Sequence, residues 1–88
     1  MIEREATIVN SEGLHARPAA RIVRLASTFD AEIEISKDGV AVNGKSIMGV
    51  MMLAAECGSS ITIRAQGSDA EQAAEALAAL VASGFGEQ

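Results

Sequence analysis

The sequence predicts an α+β open-faced β-sandwich: a four-stranded antiparallel sheet covered on one face by three helices. Three observations carry that prediction. Segments at residues 2–9, 32–36 and 60–66 alternate apolar and polar residues, as half-buried strands do. Two other stretches repeat their apolar residues at helical spacing. The elements interleave in the order βαββαβα, and strands with one polar face leave helices to cover only the other.

In the first strand Ile2, Ala6 and Ile8 share a face while Glu3, Glu5 and Thr7 share the opposite one. Gly13 breaks the pattern. From about residue 16 to 28, Ala19, Ile22, Val23 and Ala26 follow i, i+3, i+4, i+7 spacing. Pro18 fits only the first turn of that helix, where a missing N–H costs no hydrogen bond, so the helix starts close to His15. "AEIEISKDGVAVN" reads as a hairpin turning at Asp-Gly. "SIMGVMMLA" is a short helix opening on Ser46, a favoured N-cap residue, and ending before Gly58. "SITIRAQ" is the last strand. The final helix is expected to open with a capping box from Ser68 to Glu71. It carries Ala70, Ala73, Ala74, Leu77, Leu80 and Val81 on one face before Gly84 stops it.

Composition narrows the function classes. At 88 residues there is room for one domain, spanning 1–88, with a modest core and no deep cleft between lobes, so chemistry belongs on the surface. Hydrophobic residues make up 49% but aromatics only 2%, leaving Ala, Val, Ile, Leu and Met to build the core. A net charge of −5 argues against nucleic-acid binding, which needs basic residues facing phosphates. One cysteine, Cys57, cannot form an internal disulfide, and with a single histidine it cannot complete a zinc site. No metal or cofactor is expected, and Cys57 reads as a structural or incidental thiol. The charged start "MIEREATIVN" is unlike a signal peptide, and the longest apolar run, "IMGVMMLAA", is too short to cross a bilayer. The expectation is a cytoplasmic monomer.

"EGLHARPAAR", residues 12–21, holds the only histidine and the only proline. The bland reading of His15 is a solvated residue at a helix start. Three local features oppose it. A helix N-terminus presents unpartnered N–H groups and the positive end of the dipole, which favour an anion. A neutral imidazole there can act as a nucleophile, and a phosphoryl group it accepts would lie against those amides. Arg17 adds a forked, permanently charged donor set suited to phosphate oxygens. Beyond it Arg17, Arg21 and Arg24 recur at i, i+4, i+7, either a solvated helix face or a docking stripe for acidic partners.

Ser46 has a plain role as an N-cap, but the helix it opens is apolar nearly all round, with Ile47, Met48, Val50, Met51, Met52 and Leu53. So small a domain can hardly surround such a helix. Some methionines can serve as core filler. Ile47, Met48, Met51 and Met52 are expected to include the exposed members of an apolar binding patch.

"GLHARPAA", followed some thirty residues later by "KSIMGVMML", resembles the histidine-containing phosphocarrier (HPr) family of the bacterial phosphotransferase system, over nearly the whole chain. That resemblance implies a phosphocarrier. His15 would accept a phosphoryl group from enzyme I, charged by phosphoenolpyruvate, and pass it to the A component of a sugar-specific permease. Arg17 would neutralise and position the group. "GKSIMGVM" resembles the branch in which this serine is phosphorylated by an HPr kinase/phosphorylase, which implies slower phosphorylation at His15. In some lineages it also implies binding to a catabolite control protein, a transcriptional regulator. The ending "EALAALVASGFGEQ" and the stretch "MMLAAECG" look closer to nitrogen-regulatory phosphocarriers and proteobacterial members, and Cys57 stands where many relatives carry a basic residue. Two alternatives therefore remain beside the sugar carrier: a nitrogen-type regulatory phosphocarrier, and a Ser46-controlled binding module of a kind whose relatives lack the histidine. A small-molecule-binding domain of the same topology would need a pocket, and no convergent polar cluster is evident to line one. A stand-alone enzyme is disfavoured, since no motif pairs a base with His15.

Overall fold

Alternation in the strands and 3.6-residue spacing in the helices are realised in the order expected. The computed structural model describes residues 1–86. It places β1 (Ile2–Thr7), α1 (Ala16–Ala26), β2 (Glu32–Lys37), β3 (Val40–Asn43), α2 (Ile47–Met52), β4 (Ser60–Gln66) and α3 (Ala70–Ala82), followed by a short 3-10 turn, Gly84–Gly86. The four strands form one antiparallel sheet in the order β1-β4-β2-β3.

Register decides which face each side chain takes. Ala6 lies opposite Ile61, Ile33 opposite Ala65 and Ile35 opposite Ile63, so these residues share the face that the helices bury. Ile22 of α1, Val50 of α2, and Leu77 and Val81 of α3 close over them. The core is almost wholly aliphatic, with Phe85 its largest member. On the uncovered face stand Glu3, Glu5, Glu32 and Glu34. Arg64 sits among them, its Nε 2.7 Å from Glu3 and its Nη1 3.4 Å from Glu34. This acidic, solvated face needs no helix.

The β2–β3 hairpin turns on two residues, Asp38 and Gly39, with φ of 52° and 83°. Positive φ at both positions is what a two-residue type I′ connection requires, and Asp-Gly supplies it at little cost.

Four details differ from the sequence expectation. β1 stops at Thr7 rather than 9, because the chain bends towards Asn10; Ile8 remains buried, its N–H donating to Ser59 O (2.8 Å) and its carbonyl accepting from Gly58 N (2.7 Å). α1 ends at Ala26 rather than near 28. There the bonds from Thr28 N to Leu25 O and from Phe29 N to Ala26 O tighten the chain into i, i+3 turns. The N-cap of α3 is Asp69, not Ser68, and its side chain does not cap the helix. Its carboxylate instead reaches back to accept the N–H groups of Asp30 (2.9 Å) and Ala31 (2.8 Å), clamping the α1–β2 connection to the start of α3. Finally, the chain does not simply end after α3: Gly84 (φ 73°) turns it so that Phe85 is buried.

Candidate functional site

His15 is the N-cap of α1, with extended backbone (φ −82°, ψ −170°), and is half-buried. The first rung of the helical ladder runs from Ala19 N to His15 O at 3.0 Å. Ala16, Arg17 and Pro18 therefore precede the ladder. Pro18 has no N–H to satisfy, and its buried ring pins the first turn to the core. Ala16 and Arg17 bring N–H groups to the positive end of the helix, next in the chain to His15. Arg17 is exposed, as are Arg21 and Arg24 on the same helix.

The approach to His15 is built by Asn10, which the sequence did not single out, and by Gly13, which it marked only as the end of the strand pattern and part of the motif. Asn10 is fully buried, and its Nδ2 donates to Gly13 O at 2.8 Å. Gly13 N donates to Asn10 O (3.2 Å), and His15 N to Gly13 O (3.0 Å). Leu14 N then donates to Ala55 O (2.9 Å), tying the loop to the segment after α2. Gly13 adopts φ 70°, and a Cβ placed there would fall 2.4 Å from Ala55 O. Only glycine fits both the dihedral and the approach. An Asn followed three residues later by Gly is a turn signal in sequence, but its contact with Ala55, over forty residues away, is not readable there.

Ser46 caps α2 through its side chain: Gly49 N donates to Ser46 Oγ at 3.1 Å. Val50 and Leu53 are buried and hold the helix down. Ile47 (42%), Met48 (73%), Met51 (39%) and Met52 (76%) are exposed. None of the methionines is core filler. α2 runs directly into Ala54, at φ 50°, and Ala55, the residue against which Gly13 packs. The Ser46 helix and the His15 loop thus share one backbone junction. Cys57 lies on the same turn, exposed, with its Sγ 3.8 Å from Val9 O.

Of the arginine stripe, Arg21 has a structural tie: its Nη1 donates to the carbonyl of Phe85, joining α1 to the C-terminal turn. Arg17 and His15 lie at one end of α1, whereas Arg24 lies in its last turn. A surface depression of about 500 Å³ lies elsewhere, at the open face of the sheet, with Glu32, Glu34, Asn43, Lys45, Arg64 and Gln66 in its lining. Neither His15, Arg17 nor Ser46 takes part in that lining. Among the described residues no three His, Cys, Asp or Glu side chains gather as a metal site, and no helix is long and apolar enough to cross a membrane.

Comparison with known proteins places this arrangement. The family model for the PTS HPr component phosphorylation site matches residues 2–83. The phosphocarrier protein HPr of Cupriavidus necator is 48% identical over 99% of this chain and 98% of its own length. The HPr-like protein Crh of Halalkalibacterium halodurans is also 48% identical, over 92% of this chain and 96% of its own. The crystal structure of an HPr from Thermoanaerobacter tengcongensis superposes with a TM-score of 0.95 at 46% identity, covering 100% of this chain and 99% of that one.

Proposed function

The chain belongs to the HPr family of phosphocarriers of the phosphotransferase system, and on that footing we propose that His15 is the residue that carries the phosphoryl group. The whole chain, as one cytoplasmic, monomeric domain, takes the group from phosphorylated enzyme I and hands it to the A component of a sugar permease. A ring nitrogen of His15 attacks phosphorus, a P–N bond forms, and the donor's bond to phosphorus breaks. The second transfer reverses these roles with the acceptor as nucleophile.

The observation that carries this reading is the position of His15 at a helix start whose ladder begins only at Ala19. The N–H groups of Ala16 and Arg17 meet the phosphoryl oxygens there, and the Arg17 guanidinium supplies the charge that cannot be titrated away. In both transfers the partner enzymes supply the rest of the active site. They dock on the exposed apolar residues of α2, Ile47, Met48, Met51 and Met52, and on the exposed arginines of α1. Mixing the protein with phosphoenolpyruvate and enzyme I is expected to yield one acid-labile, base-stable phosphoryl adduct. An adduct that persists in His15→Ala, or none in the parent protein, overturns the assignment.

A second layer is favoured by Ser46, whose Oγ caps α2 at the border of the apolar residues. The similarity to an HPr-like Crh points the same way. Phosphorylation of Ser46 by an HPr kinase/phosphorylase keeps acceptor oxygens at the cap but sets about −1.5 to −2 charge beside the docking patch. Transfer to His15 slows, and a transcriptional regulator can read the new charge. Incubation with such a kinase should give a Ser46 phosphoprotein with a reduced rate of His15 phosphorylation; an unchanged rate rejects this regulation. A screen of sugar-type against nitrogen-type A domains decides which relay the carrier serves.

A further inference from the structure

We propose that α2 is a reversible oxidation site, in which methionine sulfoxide at Met48, Met52 and Met51 weakens partner docking without unfolding the protein. This rests on the reading of α2 as the docking helix. The observation behind it is a division of labour within six residues. The side chains that hold α2 and its C-cap to the core, Val50 and Leu53, are aliphatic and fully or almost fully buried. The side chains it presents outward are Ile47 in its first turn, 42% exposed, and then three thioethers, 73%, 39% and 76% exposed in chain order. The chain has four methionines and none lies in the core; the other, Met1, precedes β1 outside this patch.

A peroxide reaches these sulfurs without any opening of the fold. The sulfur lone pair attacks one peroxide oxygen, an S–O bond forms as the O–O bond breaks, and sulfur loses two electrons. The second oxygen leaves as water after taking the proton from the first. Each event turns a flexible apolar side chain into a polar, chiral one. In a core this disrupts packing; here it changes only what a partner meets. A thiol-dependent methionine sulfoxide reductase returns the two electrons and restores the thioether.

The test uses the full-length chain carrying Cys57→Ser, which removes the exposed thiol as a competing reductant. After hydrogen peroxide treatment, peptide mass mapping is expected to find one added oxygen at Met48 and Met52 first, and at Met51 more slowly. KM for phosphorylation by enzyme I should rise about tenfold, the equivalent of some 1.4 kcal/mol of lost docking. The melting temperature should stay unchanged, and reductase treatment should return KM to its starting value. In Met48→Leu/Met51→Leu/Met52→Leu, peroxide should leave KM at that variant's own untreated value, although Met1 still oxidises. Sulfoxides that form at α2 without moving KM, or that lower the melting temperature, overturn the proposal. Met48→Gln/Met52→Gln separates the two readings. If it raises KM while sulfoxide does not, the oxidation inference alone fails; if it leaves KM unmoved, the docking role fails and the inference with it.

Discussion

Replacing Gly13 by alanine tests how the helix start is held. Two costs can be read from the structure. The residue sits at φ 70°, where an L side chain is disfavoured by roughly 1–2 kcal/mol. Its new Cβ would also lie 2.4 Å from Ala55 O, so the two backbones must part. Parting them breaks the bond from Leu14 N to Ala55 O, and a lost buried hydrogen bond costs about 1–3 kcal/mol. The expected total is about 2–5 kcal/mol, a large share of the roughly 5–15 kcal/mol that a small domain possesses. Gly39→Ala is the matched control: φ is 83°, but nothing stands within 4 Å of the added carbon. It should show the dihedral cost alone, about 1–2 kcal/mol. Urea denaturation of both variants gives the difference directly. In single-turnover transfer Gly13→Ala should also lose rate, by up to about 100-fold if His15 moves by an ångström, while Gly39→Ala keeps it. Equal destabilisation by the two substitutions would refute the claim that Ala55 fixes the His15 loop.

The remaining predictions concern single side chains. Arg17→Ala removes an exposed group and should shift stability by no more than about 0.5 kcal/mol. It should slow phosphotransfer about 10–100-fold in rapid-quench assays, the worth of a charge-assisted hydrogen bond. Ser46→Ala loses the cap on Gly49 N and should cost about 0.5–2 kcal/mol in denaturant. Ser46→Asp restores a favoured cap and most of that stability, yet its charge beside Met48 should raise KM for enzyme I. Asp69→Ala strips the acceptor from the Asp30 and Ala31 amides and should cost about 1–3 kcal/mol, with faster hydrogen exchange at those two amides and unaltered transfer.

What the sequence disclosed is what local rules govern. Pro18 fixed where α1 begins, and Asp38-Gly39 fixed the hairpin, because each acts within a turn of itself. The apolar residues of α2 divided into buried and exposed members once Val50 and Leu53 were seen against the core. What stayed hidden depends on contacts between distant segments. Nothing near Gly13 or Leu14 signals that Ala55 will meet them. Ser68 and Glu71 satisfied the pattern of a capping box, but the carboxylate of Asp69 was needed 38 residues away, at Ala31. Phe85 lay beyond the last helix, where a tail is the default expectation, and its burial requires Gly84 in a left-handed conformation with Arg21 holding the turn. The candidate site was legible to the extent that His15, Arg17 and Ser46 announce themselves. The junction that joins them was not.

The acidic open face of the sheet has a consequence for kinetics. Glu3, Glu5, Glu32 and Glu34 stand on one side of the molecule, and Arg17, Arg21 and Arg24 on the helical layer of the other. On a molecule of net charge −5 the arginine stripe of α1 is thus a local basic patch, set on a layer that also carries Glu71 and Glu75 of α3. An acidic partner attracts that patch over the rest of the surface before any contact is made. On the proposed route between two enzymes, the carrier gains encounters this way without gaining affinity, so release stays fast. Raising ionic strength should then depress the association rate while leaving dissociation almost untouched.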